Sequence, residues 1–212
     1  SNAVTFTPIL LDEGTLTQTS RQNAEQLDFV GGSLEAHAAE DFTTASTRVL
    51  KKDADLGFAL LADMLQHPAF HKQEFERVRT QILGEIVSDD DDPGNVAMKA
   101  FHQLIFHGHP YSWPAHGTEE TLNKITVADI QQFHAREYLP NQTILVIVGD
   151  LTQDQAAALV QTHFGSWKKG TSSPYQIKKP ASIERKMVQL IEKDLTQSTI
   201  VLGHTGISRT NP

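Results

Sequence analysis

The 212-residue chain contains no cysteine. That absence excludes disulfides, cysteine-ligated zinc and thiol nucleophiles. It is compatible with cytoplasm and periplasm alike, so the compartment stays open. Basic residues are in short supply, 18 against 26 acidic, for a formal net charge of -8. This argues against nucleic acid as a partner, because phosphate contact needs clustered Lys and Arg. The one basic cluster, Lys168 and Lys169 followed by Lys178 and Lys179, lies in a Pro/Ser-rich stretch and reads as solvated linker. Long apolar runs are missing too. The longest, residues 144–148, is too short to span a bilayer, so no membrane span is expected. No G-x-S-x-G, P-loop or G-x-G-x-x-G occurs, and no signal peptide is visible. Ser1-Asn2-Ala3 reads as the scar of tag removal.

What is present suits an ordinary globular fold: 39% hydrophobic, 21% charged and 7% aromatic residues, enough chain for one or two domains. Residues 4–11 are apolar and lead to a break at Asp12-Glu13-Gly14-Thr15. Ser20 is placed to cap a helix to Val30, with Ala24, Leu27 and Val30 inward and Gly31-Gly32 as its stop. Residues 33–39 and 42–50 alternate about a Glu40-Asp41 turn and predict a hairpin. Helices follow over 53–66 and 74–87. In the second, Phe75, Val78, Ile82 and Ile86 form an apolar stripe with Glu85 at its border. The run Asp89 to Asp92 opposes the helix dipole and predicts a stop near Ser88, with Asp92-Pro93 opening the next helix. Thr126 with Asp129, and Thr152 with Gln155, read as capping boxes. Residues 143–148 predict a central strand covered on both faces, and residues 187–194 and 197–203 predict paired strands. The reading is one α+β domain over 4–168, a linker over 169–182, and the opening strands of a second domain over 183–212.

Ten histidines invite a search for metal sites. His67 and His71 are four apart, but Pro68 breaks the helix that would bring them together. His107 and His109, with His102 a turn back, have no carboxylate at defined spacing. His37 with Glu40 and Asp41 approaches the order H-x-x-E-H, yet Asp stands in place of the second His and the segment is a strand turn. The Asp89 to Asp92 run lacks the spaced ligands and glycine of a calcium loop. Each reads better as ordinary surface.

Several stretches in order resemble the insulinase/pitrilysin family of zinc peptidases, which includes the mitochondrial processing peptidases. They are Asp12-Glu13-Gly14-Thr15, Asp28 to Ser33, residues 63–70, residues 74–93, His109-Pro110-Tyr111, Gly117-Thr118, Pro140-Asn141 and Val148-Gly149-Asp150. The resemblance implies a mixed, largely antiparallel sheet backed by helices. Two such halves would form an arm, and two arms would close a chamber around a peptide. Active members carry H-x-x-E-H before the Gly-Thr break and a third ligand, a Glu, on a later helix. Aligned on Gly14-Thr15, the motif positions fall on Thr5, Pro8 and Ile9, and the third-ligand position falls on Glu85. Pro8 in mid-helix would distort the segment unless it lies in the first turn. Thr, Pro and Ile cannot hold Zn²⁺, and one carboxylate is too few for water activation, which takes three protein ligands and an open position.

The resemblance therefore implies a chain without catalytic or metal residues of its own, with Glu85 as a vestige. Zinc is expected in an active partner subunit or domain of the same family. It also implies that the strand holding Ser33, Leu34, Glu35 and Ala36 is the edge to which unfolded peptide substrate adds, with Glu35 where the family commonly has Asn. Two alternatives stand beside this reading. One is a fragment of an active zinc endopeptidase whose motif lies elsewhere in the parent protein. The other is a structural core-type subunit of a larger complex.

Overall fold

A computed structural model describes residues 3–171, 177 and 179–207. The outer two residues of the expected scar, and residues 172–176 and 178 of the expected linker, lie outside the described residues. The chain opens on α1 (Ala3–Leu11), which puts Phe6, Leu10 and Leu11 wholly inside. Contrary to expectation, Pro8 sits well past the first turn of a continuous helix. The neighbouring Thr7 hydroxyl donates to the Ala3 carbonyl at 2.7 Å, and burial of the apolar side chains holds the segment. Helix α2 (Ser20–Val30) is capped by Thr19 and not by Ser20. Thr19 Oγ1 accepts from the Gln22 amide at 3.2 Å while Gln22 Oε1 accepts from the Thr19 amide at 2.9 Å. The side this helix buries carries Asn23 and Leu27; Ala24 faces solvent.

The hairpin forms from β1 (Ser33–Ala38) and β2 (Thr43–Arg48), antiparallel, with Ala36 opposite Ala45. It is followed by α3 (Ala54–Gln66) and α4 (Lys72–Asp91), which bury Leu60, Leu61, Met64, Phe75, Val78 and Ile82. The stripe on α4 is thus read correctly, but its end is not, since the helix continues through Asp89, Asp90 and Asp91. Neighbours meet this end of the helix: Asn95 donates to the Asp89 carboxylate at 3.0 Å, Lys99 pairs with the Asp90 carboxylate at 2.9 Å, and Lys193 donates to the Asp90 backbone carbonyl. Asp92 then caps α5 (Pro93–Ile105), accepting from the Asn95 amide at 2.8 Å. Helices α6 (Glu119–Lys124), α7 (Val127–Glu137) and α8 (Gln153–Phe164) each start at a capping box, on Thr118, Thr126 and Thr152.

The core joins α1, α3, α4, α6 and α7 through Phe6, Met64, Phe75, Ile82, Leu122 and Ile130. At its centre the Phe6 and Phe75 rings lie 5.4 Å apart. The α+β class stands, with the sheet represented among the described residues by one two-stranded hairpin. Three expected strands do not form. Residues 143–148 have no ladder partner, and Ile144, Val146 and Val148 are 89%, 75% and 94% exposed. Residues 187–194 and 197–203 likewise do not pair. Strands are partnerships, and an apolar run without a neighbouring strand has nowhere to place its amides.

His134 on α7 pins the chain end of α3. Its Nε2 lies 2.9 Å from the Leu65 carbonyl, its ring stacks on Tyr138, and the edge of Phe70 meets it at 5.4 Å. Phe70 is buried with φ of +47°, a left-handed conformation that a bulky residue adopts only when its surroundings hold it. Burial pushes the His134 imidazole below its ordinary value of 6.5, and the Leu65 carbonyl draws it partly back. The unfolded chain therefore takes up this proton first as pH falls, so His134's contribution is complete above about pH 6.5 and lost below it. Denaturant midpoints should fall between pH 7.5 and 5.5, and less so in His134→Gln. At the centre, Phe75→Ala should lower stability by about 3–5 kcal/mol in the same assay.

Candidate functional site

The turn after α1 sets the site's geometry. Gly14 takes φ of +111°, and a Cβ there would lie 3.1 Å from both the Gln18 carbonyl and the Ser20 amide nitrogen. The Thr15 and Thr17 hydroxyls donate to Asp63 Oδ2 on α3 at 2.5 and 2.6 Å. Glu13 accepts from Arg77 on α4, whose Nε also donates to Glu74 at 2.8 Å. The hydrogen bond from Arg77 and its charge hold the Glu74 carboxyl below the usual carboxylate range. By these contacts α1 is fixed against α3 and α4.

Thr5 and Ile9 lie four residues apart, on one side of α1, and both are half-buried; Pro8 is buried. Glu85, on α4, is half-buried and accepts from Gln81 Nε2 at 3.0 Å. One loop, residues 113–117, reaches both helices. The Thr5 hydroxyl donates to the Ala115 carbonyl at 2.6 Å, and His116 Nδ1 stands 3.8 Å from Glu85 Oε2. That last separation is an ion-pair distance and not a hydrogen bond. His116 Nδ1 is enclosed and has no hydrogen-bond partner, so Glu85 is the acidic group it faces. His116 is the residue sequence reading missed. Its only signal was its place immediately before Gly117, whose φ of +77° turns the chain there.

The donor set does not fit a zinc centre. Thr5 spends its hydroxyl proton on Ala115, Pro8 and Ile9 have no donor atom to offer, and Glu85 with His116 makes two ligands where three are needed. Among the described residues no three His, Asp or Glu side chains group as a metal would require. The strand Ser33, Leu34, Glu35 and Ala36 lies beside α1, within the same half of the molecule. Glu35 points to solvent and pairs with His37 at 3.3 Å, and Ala36 is buried.

The match to known proteins is decided by two family models. The one described as Insulinase (Peptidase family M16) covers residues 8–119, and the one described as Peptidase M16 inactive domain covers residues 124–212. The chain belongs to the M16 family. It is 33% identical over 166 residues to an uncharacterized zinc protease of Mycobacterium leprae, a match covering 78% of this chain and 37% of that one. A Rickettsia bellii zinc protease, also uncharacterized, is 28% identical over 199 residues, 94% of this chain and 47% of its own length. The chain thus spans less than half the length of these relatives. In fold it is similar to the M16 inactive domain from Pseudomonas fluorescens, with a TM-score of 0.79 at 24% identity, over 85% of this chain and 44% of that one. The Escherichia coli periplasmic protease PqqL is similar with a TM-score of 0.74 at 19% identity, over 86% of this chain and 21% of that one.

In this M16 chain the contacts made by Thr5 and Glu85 differ in magnitude. Thr5→Val removes a hydrogen bond and should lower stability by about 0.5–1.5 kcal/mol. Glu85 and His116 keep 42% and 40% of their side-chain surface in water, so Glu85→Gln should change stability by less than about 1 kcal/mol. Equilibrium unfolding in guanidinium chloride checks both.

Proposed function

We propose that this chain is a non-catalytic M16 unit that forms part of a peptide-enclosing chamber together with an active, zinc-bearing M16 partner. What supports this reading is that Thr5, Pro8 and Ile9, where the resemblance puts the three motif residues, cannot hold zinc on an α1 that still packs as a helix. Around it stand the Gly14 turn, its Asp63 and Arg77 anchors, and the helix carrying Glu85. No water can be activated by these side chains, because activation needs three ligands, a metal and an open position. What the chain can supply is shape, a sheet edge for unfolded peptide at Ser33 to Ala36, and a surface for its partner. Zinc belongs to that partner. Similarity to an inactive-domain fold supports the reading.

A second reading draws on a specific observation. The chain spans 37–47% of the length of the zinc proteases it resembles; in this reading the parent protein is a zinc endopeptidase with its H-x-x-E-H elsewhere, and this segment is its non-catalytic half. Both readings make this chain inert alone. Purified protein should hydrolyse no unfolded peptide and carry substoichiometric zinc by elemental analysis. Cleavage abolished by a chelator and restored by zinc, or one zinc per chain lost in Glu85→Gln, would overturn them. Co-purification then separates the two: the first predicts an M16 peptidase on a separate chain, the second a single longer polypeptide.

A further inference from the structure

After α8 the chain is led out of the core under restraint. Gln66 Nε2 on α3 donates to the His163 carbonyl at 2.9 Å, and His163 Nε2 lies 2.8 Å from Asp55 Oδ1 on the same helix. Trp167, just past α8, packs on the core with its ring 6.0 Å from that of Phe164. The next contact falls on Gly170, inside the stretch expected as a linker. Asn141, in the short turn Pro140–Gln142 after α7, meets it twice. Its Nδ2 donates to the Gly170 carbonyl at 3.0 Å, and the Gly170 amide donates to its Oδ1 at 3.1 Å, across 29 positions of sequence. One side-chain amide thus satisfies both backbone groups of Gly170, as a neighbouring strand would. The fit is tight: a Cβ at 170 would lie 2.7 and 2.8 Å from the two methyl carbons of Leu139, which is buried.

We propose that Asn141 is a positioning residue, a clamp on Gly170 that fixes where and in which direction the chain leaves the domain. A single hydrogen bond fixes a distance and leaves the peptide free to turn. A reciprocal pair from one planar amide fixes orientation as well. Asn is the side chain that suits it, since Asp has no donor for the Gly170 carbonyl and Gln carries its amide one carbon farther out. Asn141 is exposed, so the pair adds little to global stability, and what it governs is direction. Farther along, the chain touches the domain again. Lys193 donates to the Asp90 carbonyl, and a Cβ at Gly203 would lie 2.8 Å from Phe101 Cζ. With its root held at Gly170, the segment over residues 179–207 meets α4 and α5 at a set place. Released at that root, it keeps those contacts only part of the time.

This inference rests on neither the chamber nor a zinc-bearing partner, and its test uses the chain alone. With no native cysteine, spin labels can be placed through Ala157→Cys on α8 and Gln189→Cys in the following segment, both exposed positions. The label-to-label distance distribution, read by double electron–electron resonance, should broaden in Asn141→Ala, in Asn141→Asp and in Gly170→Ala. The Gly170 amide, followed by NMR hydrogen exchange, should exchange roughly tenfold faster in Asn141→Ala than in the wild type. Thr5→Val removes a hydrogen bond of similar strength on α1 and should change neither reading. The clamp is overturned if Asn141→Ala leaves Gly170 exchange as it was. The positioning role is overturned if exchange quickens while the distribution keeps its wild-type width, or if Thr5→Val broadens it equally.

Discussion

The four-residue turn from Asp12 to Thr15 is the constraint on which the rest depends. Each of its residues does something different. Asp12 carries the chain out of α1, which lies beside β1, and Glu13 meets Arg77 on α4. Gly14 supplies a backbone angle closed to residues with a Cβ, and Thr15 hooks Asp63 on α3. A chain reversal hydrogen-bonded to two other elements, α3 and α4, fixes where α1 can lie. Once α1 is fixed, Phe6 reaches Phe75 and the core closes around them. The same placement brings Thr5 and Glu85 to opposite sides of one loop, where Ala115 and His116 meet them. Individually these contacts are ordinary surface interactions worth about 1 kcal/mol or less. Their value lies in convergence, because they act on one rigid helix whose apolar side has a single place to go.

Which parts of this were legible in the sequence follows from how local each cause is. Capping boxes are local, and Thr126 with Asp129 and Thr152 with Gln155 start helices as their spacing predicts. The stripe of Phe75, Val78 and Ile82 is nearly as local, and it is buried as read. The order of motif pieces places the chain in the M16 family, although no one piece would. Errors appear where a distant neighbour decides. Helix α4 runs through its aspartates because Asn95, Lys99 and Lys193 come to meet them, and two of those three lie on later elements. Residues 143–148 read as a buried strand from composition alone, but composition cannot supply the strand beside it. Ala24 and Thr19 mark smaller slips of a residue or so in face and cap, where two adjacent side chains compete for one role. His116 could not have been found, since nothing in its own surroundings along the chain points to Glu85.

The proposed reading, an M16 chain without metal chemistry of its own, has a simple structural basis. On α1 the side chains that build the core are Phe6, Leu10 and Leu11, all fully buried. Thr5 and Ile9, which the proposed reading sets at the ligand positions of hydrolytic relatives, share a different, half-exposed side. Requirements of shape and of coordination thus fall on separate residues of one helix. Exchanging ligands for Thr and Ile leaves Phe6, Leu10 and Leu11 undisturbed, and the freed Thr5 hydroxyl is absorbed by a loop carbonyl. Pro8 is the exception, because it lies inside; there the buried neighbours and the Thr7 hydroxyl keep the helix continuous without its amide. A catalytic site needs every donor at once, whereas a wall needs only that the packed side stay packed. That asymmetry is why a fold of this kind can stop coordinating and keep its architecture, and why the remaining carboxylate on α4 is best understood through Gln81 and His116, the groups it actually faces.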